Sequence, residues 1–292
     1  MISTWVNTEE YPFASHTFET SAGNLHYVDE GKGEVILFIH GTPVWSFVYR
    51  KLIKDLSTSY RCIAVDHLGF GLSDKPQEAD YAPKAHAQRL EALIEHLQLR
   101  HITLVVHDFG GPIGLNYVLK HPENVKRVVL FNTWMWSLND YPEFVRAGKI
   151  AASWFGKWLY KYFNFSPKVL IKQAFYDKSK LSKTIHQQYI QAFPDTQSRT
   201  GPTAFARHLL ASSEWYNSLW ERRQIVQQKP VLILWGVKDP LLSLNLLKRW
   251  KETLPDARTI ELEAGHFVQE EKPEEILEAI YRFLNEEKKA VV

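Results

Sequence analysis

An aspartate stands where a short apolar run meets paired glycines, in Val105-Val106-His107-Asp108-Phe109-Gly110-Gly111. The residues before it, Ile102 to Val106, are apolar and rich in β-branched side chains, and Pro112-Ile113-Gly114-Leu115-Asn116-Tyr117 after it can open a helix. A nucleophile elbow is a small-x-nucleophile-x-Gly turn between strand and helix, which holds its central side chain on a strained, exposed corner. Here Asp108 is the centre, Gly110 meets the glycine requirement, and Val106 occupies the small position. A carboxylate nucleophile makes an ester with an alkyl carbon. The chemistry predicted for this turn is therefore displacement at saturated carbon.

Such an ester must be hydrolysed, which calls for a base acting on water and a partner that fixes the base's tautomer. His266 lies in Ala264-Gly265-His266-Phe267, just past the final predicted strand. Asp239 follows the apolar run Val231-Leu232-Ile233-Leu234-Trp235-Gly236 and is stopped by Pro240. Either residue alone would be ordinary, since a histidine after a strand is usually structural and an aspartate before proline usually belongs to a turn. Together they give the chain order nucleophile, acid, histidine, with all three at strand ends, where open α/β sheets bind ligands. Glu263 and Asp140 are rival acids, but their neighbourhoods read as surface.

The elements that must position these residues alternate in type. Strands are predicted at about 35–40, 61–66, 102–107, 125–131, 231–235 and 258–262, with an antiparallel entry pair at 16–20 and 25–30. Helices are predicted over 46–56, 85–97, 112–120, 244–253 and 273–285. That alternation predicts an α/β fold with a mostly parallel sheet between helices. It stops between about Trp136 and Trp220, in a span too long for a loop and rich in aromatics. The expected organisation is a core of residues 1–135 and 221–292 with a helical cap, 136–220, inserted in it.

The 292 residues are 45% hydrophobic and 23% charged with net charge +2, which suits one soluble globular domain and leaves no basic footprint for nucleic acid. The first ten residues have neither a charged n-region nor an apolar h-region, and no apolar run approaches the roughly 20 residues of a membrane span. Cys62 is the one cysteine, so no intrachain disulfide forms. A cytoplasmic chain is expected from these features. No metal or other cofactor is expected, because the histidines show no ligand spacing and the chemistry needs none.

The sequence resembles the α/β-hydrolase superfamily and, within it, the haloalkane dehalogenase and epoxide hydrolase branch. Besides the elbow, the resemblance rests on His40-Gly41-Thr42-Pro43-Val44-Trp45-Ser46-Phe47-Val48-Tyr49-Arg50, on Asp66-His67-Leu68-Gly69-Phe70-Gly71-Leu72-Ser73-Asp74-Lys75-Pro76, and in the cap on Phe193-Pro194 with Arg199. It implies a hydrolase with Asp108 as nucleophile, His266 as general base, Asp239 as triad acid, and the backbone N–H groups of Thr42 and Phe109 as oxyanion hole. Some dehalogenases place the acid after the preceding strand, but that position here is Asn132, which carries no charge. The expected partners are water and a small apolar substrate, most simply a haloalkane.

The chain departs from the dehalogenase pattern where a halide would be held. The tryptophan after the nucleophile is Phe109, and the loop amide or carboxyl is Thr42. Trp134, Trp136, Trp154 and Trp158 are candidate replacement donors. Epoxide opening needs a cap tyrosine as acid, and Tyr216 in Trp215-Tyr216 leads a group that includes Tyr141, Tyr160, Tyr162, Tyr176 and Tyr189. β-Lactone processing and small-molecule reception remain as further alternatives on this fold.

Overall fold

The computed structural model describes residues 3–290, with side chains as far as Glu286. Its strands are β1 (His16–Thr20), β2 (Gly23–Glu30), β3 (Val35–Ile39), β4 (Arg61–Val65), β5 (Ile102–Asp108), β6 (Val125–Thr133), β7 (Val231–Gly236) and β8 (Arg258–Leu262). They form one sheet in the order β1-β2-β4-β3-β5-β6-β7-β8. The β1–β2 and β2–β4 pairs are antiparallel and all others parallel. Each predicted strand forms. The ends of β2 and β6 lie two residues outside their expected bounds.

The core helices are α1 (Arg50–Leu56), α2 (Pro83–His96) and α3 (Gly110–Lys120). After β6 come α4 (Pro142–Ala152), α5 (Trp154–Phe163), α6 (Ile171–Ala174), α7 (Lys183–Gln191), α8 (Thr200–Ala211), α9 (Ser213–Glu221) and the short α10 (Gln224–Gln227). The chain then returns to β7, α11 (Leu244–Thr253), β8, α12 (Val268–Glu271) and α13 (Pro273–Ala290). Every residue of β3 and β5 is buried, because helices cover both faces of a parallel sheet, and this is why these strands read as unbroken apolar runs. β1, at the edge, alternates half-buried and exposed residues instead. The chain crosses from β4 over β3 to β5, so the sheet's switch point lies between β3 and β5, where the loop after β3 and the turn after β5 meet.

That turn is tight. Asp108 has φ 52°, a left-handed conformation that costs a non-glycine residue about 1–3 kcal/mol. α3 begins two residues later, so close to β3 that a Cβ on Gly110 would lie 2.1 Å from the Ile39 carbonyl oxygen. Val106 fits the motif's small position for a similar reason. A Cβ on Gly114 of α3 would lie 2.7 Å from Val106 Cγ1, so glycine on the helix supplies the room that the strand residue takes.

Behind the switch point, a row of buried imidazoles ties the loops after β3 and β4 together. His40 Nε2 accepts the His67 N–H (3.0 Å), its Nδ1–H donates to the Gly41 carbonyl (2.6 Å), and His67 Nε2–H donates to the His40 carbonyl (2.9 Å). The two bonds at His40 specify its neutral tautomer, since a proton on Nε2 would face a second N–H. His86 packs on His67 and Phe205, and neither of its nitrogens has a partner. Burial lowers the pKa of His40, and those of His67, His86 and His107 more strongly. The unfolded chain therefore takes up protons first, so these groups contribute stability above the unfolded histidine value of about 6.5 and lose it as pH falls toward their folded values. The urea midpoint is expected to drop between about pH 7.5 and pH 5, and His86→Phe to flatten that dependence, as read by urea titrations at both values.

Candidate active site

Four strand ends carry the site. Thr42 follows β3, Asp108 closes β5, and Asp239 and His266 lie in the loops after β7 and β8. Asp108 Oδ1 accepts the Thr42 N–H at 2.8 Å, and the Phe109 N–H lies near the carboxylate and favours its charged form. Burial raises the Asp108 pKa, opposed by His266 and by these two donors. His266 Nε2 lies 3.6 Å from Asp108 Oδ2, buried and without a hydrogen-bond partner. The other ring nitrogen, Nδ1, is 2.8 Å from Asp239 Oδ2, so it carries the proton and leaves the Nε2 lone pair facing Asp108. Burial works against a charged His266, but the carboxylates of Asp239 and then Asp108 outweigh it and its pKa is raised.

Asp239 is itself held. Asn132 donates from Nδ2 to Asp239 Oδ2 (2.7 Å) while its Oδ1 accepts the Gly236 N–H (2.8 Å), and Asp239 Oδ1 accepts the Leu241 N–H (2.7 Å). The residue that cannot supply charge thus orients the one that does. The rival acids lie elsewhere, Asp140 exposed and Glu263 on the surface near the Tyr176 hydroxyl.

The His266 loop is fastened to the cap. The His266 N–H donates to the Ala174 carbonyl (2.8 Å). Glu271, almost wholly buried, accepts N–H bonds from Gly265 (2.9 Å), Tyr176 (3.1 Å) and Asp177 (2.8 Å). The neighbouring Glu270 takes a two-pronged bond from buried Arg50 and a bond from the Tyr189 hydroxyl, which joins α1, α12 and α7. Neither glutamate carries a motif, and only their complete burial in the fold marks them.

Above Asp108 lies an apolar cavity of about 350 Å³. Its polar edges are Thr42, Asp108, Tyr160 and Ser166, and Phe109 and Trp134 form part of its wall. The Trp134 indole is edge-on to Phe109 at 5.0 Å, its buried Nε1–H unpartnered, and the buried Thr42 Oγ1 is unpartnered too. Other candidates drawn from the aromatic cap are displaced. Trp136 does not line the cavity, because it is locked between Trp220 and Trp250 with the Arg249 guanidinium 4.7 Å over its ring. Tyr216 does not line it either, since its hydroxyl donates to the His208 carbonyl at 3.0 Å. Trp154 and Trp158 face outward. Arg199 braces the cap, donating to the carbonyls of Phe193, Pro194, Lys161 and Tyr162. Of the tyrosines expected as acids, Tyr160 lines the cavity, and burial with the nearby Asp108 charge raises its pKa to about 12.

The model of the alpha/beta hydrolase fold family matches residues 34–273. The chain belongs to the α/β-hydrolase family. Among curated members, it is 33% identical over 289 residues to a cis-3-alkyl-4-alkyloxetan-2-one decarboxylase of Shewanella oneidensis, covering 94% of this chain and 89% of that protein. It is 34% identical over 273 residues to haloalkane dehalogenase 2 of Mycobacterium bovis, covering 92% and 94% respectively. Among solved α/β-hydrolase structures, the haloalkane dehalogenase DatA from Agrobacterium tumefaciens C58 superposes with a TM-score of 0.81 at 27% identity, over 96% of this chain and 97% of that one.

Because Asp239 raises the His266 pKa, Asp239→Asn is expected to lower it, read from the pH titration of the imidazole C–H resonances. Asn132→Ala is expected to move the same titration less, since the carboxylate stays but loses one donor. An unchanged His266 titration in Asp239→Asn would contradict the pairing.

Proposed function

We propose that this chain is a hydrolase that opens small apolar alkyl electrophiles through a covalent ester on Asp108, with haloalkanes as its substrate class. The observation that carries this is the Asp108 carboxylate at the floor of an apolar cavity, with one oxygen tied to backbone N–H and the other free beside His266 Nε2. Burial strips water from the free oxygen, which favours attack, and apolar walls select a substrate without charge.

Asp108 Oδ2 forms a bond to the substrate carbon while the carbon–halogen bond breaks and the halide takes the electron pair. Trp134 Nε1–H and the Thr42 hydroxyl are the unpartnered donors available to that anion. Water then attacks Cγ of the ester and gives its proton to His266 Nε2. The negative charge gathers on Oδ1, where the Thr42 N–H already points and with the Phe109 N–H beside the carboxylate; one such donor contributes about 3 kcal/mol. Collapse breaks the Cγ–Oδ2 bond, and the departing alkoxide takes the proton from His266. The sum is haloalkane plus water giving alcohol, halide and a proton.

Tyr160 supports a second reading, the opening of a strained oxygen ring. Tyr160 lines the cavity and its raised pKa keeps it protonated, so it can donate to the alkoxide formed when Asp108 attacks an epoxide carbon, or to the carboxylate released when Asp108 attacks the saturated C–O carbon of an oxetanone. The relative named as an oxetanone decarboxylase makes that ring class worth offering.

With a haloalkane, His266→Ala is expected to accumulate an adduct whose mass, seen on the intact protein, equals substrate minus hydrogen halide, while turnover falls about 10²–10⁴-fold. Asp108→Asn should form none. Full turnover by Asp108→Asn would end the proposal. A second comparison separates the readings. Trp134→Phe should slow halide release and Tyr160→Phe leave it intact, whereas diol or alkene formation that depends on Tyr160 would select ring opening.

A further inference from the structure

Helix α5 is apolar on two sides. Gly156, Leu159 and Tyr160 line the cavity, while Trp154, Trp158 and Tyr162, four residues apart, share the opposite face. Trp154 is 80% exposed, Phe155, Trp158, Tyr162 and Phe163 are exposed beside it, and the rings of Trp154, Phe155, Trp158 and Phe163 pack in succession. Ile150, at the end of α4, is exposed and also lines the cavity, so the patch runs to the cavity mouth. A contiguous surface of large aromatics on a soluble domain marks an interaction site.

The charges along this part of the chain are of one sign. Between Glu143 and Asp177 the chain carries Arg146, Lys149, Lys157, Lys161, Lys168 and Lys172, all exposed, and no acidic residue, although the whole chain nets only +2. Tryptophan and tyrosine favour the boundary between lipid headgroups and acyl chains, and lysine favours anionic headgroups. We propose that this face of the cap docks on an anionic phospholipid surface, with α5 lying in the interface plane and its lysines over the phosphates. Among the described residues no helix is long and apolar enough to cross a membrane, so α5 lies on the bilayer. A second copy of this chain fits the face less well, because a two-fold pairing would set the same cations against each other. Docked in this way, the cavity mouth at Ile150 opens toward the acyl phase. Delivery of an alkyl substrate from the bilayer rests on the proposed function; the docking does not.

The test is sedimentation of the full chain with phosphatidylcholine vesicles, with and without phosphatidylglycerol, together with tryptophan emission. The expected result is partitioning at least about tenfold stronger on the anionic vesicles, with a blue shift, that fades at high salt. The double variants Trp154→Ser/Trp158→Ser and Lys157→Glu/Lys161→Glu are expected to fall to the phosphatidylcholine level with unchanged circular dichroism and melting temperature. Two outcomes overturn the proposal. One is absent or variant-insensitive vesicle binding. The other is a dimer in analytical ultracentrifugation that the double tryptophan variant converts to monomer, which would give the patch to a second copy.

Discussion

The arrangement depends on keeping one carboxylate charged inside an apolar cavity. Removing an ion from water is expensive unless donors replace the lost hydration. At Asp108 the replacement comes from the backbone, the N–H groups of Thr42 and Phe109. Backbone donors are fixed by the fold and need not reorganise as charge moves, so the groups that hold the resting carboxylate also suit the oxyanion of the proposed ester hydrolysis. The strained φ of Asp108, the close approach of α3 to β3 at Gly110 and the His40–His67 clasp all serve to hold those two N–H groups in place.

The His266 imidazole is fixed in the same manner, at a further remove from Asp108. His266 is oriented by Asp239, Asp239 by Asn132, and Asn132 by the backbone of Gly236. From the other side, the cap holds the histidine loop through the Ala174 carbonyl and through Glu271, which collects three N–H bonds from both sides of the cap–core boundary. The cap therefore does more than roof the cavity. Its position and that of His266 are set by shared bonds, so a shift of the segment from Ala174 to Asp177 would move the imidazole.

The cap's aromatic residues divide by what their polar atoms meet. Tyr216 and Tyr189 spend their hydroxyls on a carbonyl and on Glu270, and Trp136 is packed among other indoles. Trp134, just before the cap, keeps a free donor at the cavity wall, which Tyr160 of the cap also lines. The tryptophans of α5 do neither, and face solvent above a cationic stretch. One compositional bias thus supplies core packing, cavity wall and outer surface.

Periodicity and order along the chain were enough to read the α/β architecture and to pick out Asp108, Asp239 and His266, because a parallel sheet buried on both faces writes long apolar runs and gathers its strand ends at one edge. The elbow was legible because its glycine sits two residues after Asp108, where the close approach of α3 to β3 leaves no room for a side chain. The ends of β2 and β6 were not, because pairing with a neighbouring strand extends them past the apolar pattern. Nor were Asn132's hold on Asp239, the roles of Glu270 and Glu271, or the choice of Trp134 over Trp136 and of Tyr160 over Tyr216. Those depend on which way a side chain turns and what it meets far along the chain. No spacing in the sequence records that, and packing alone decides it.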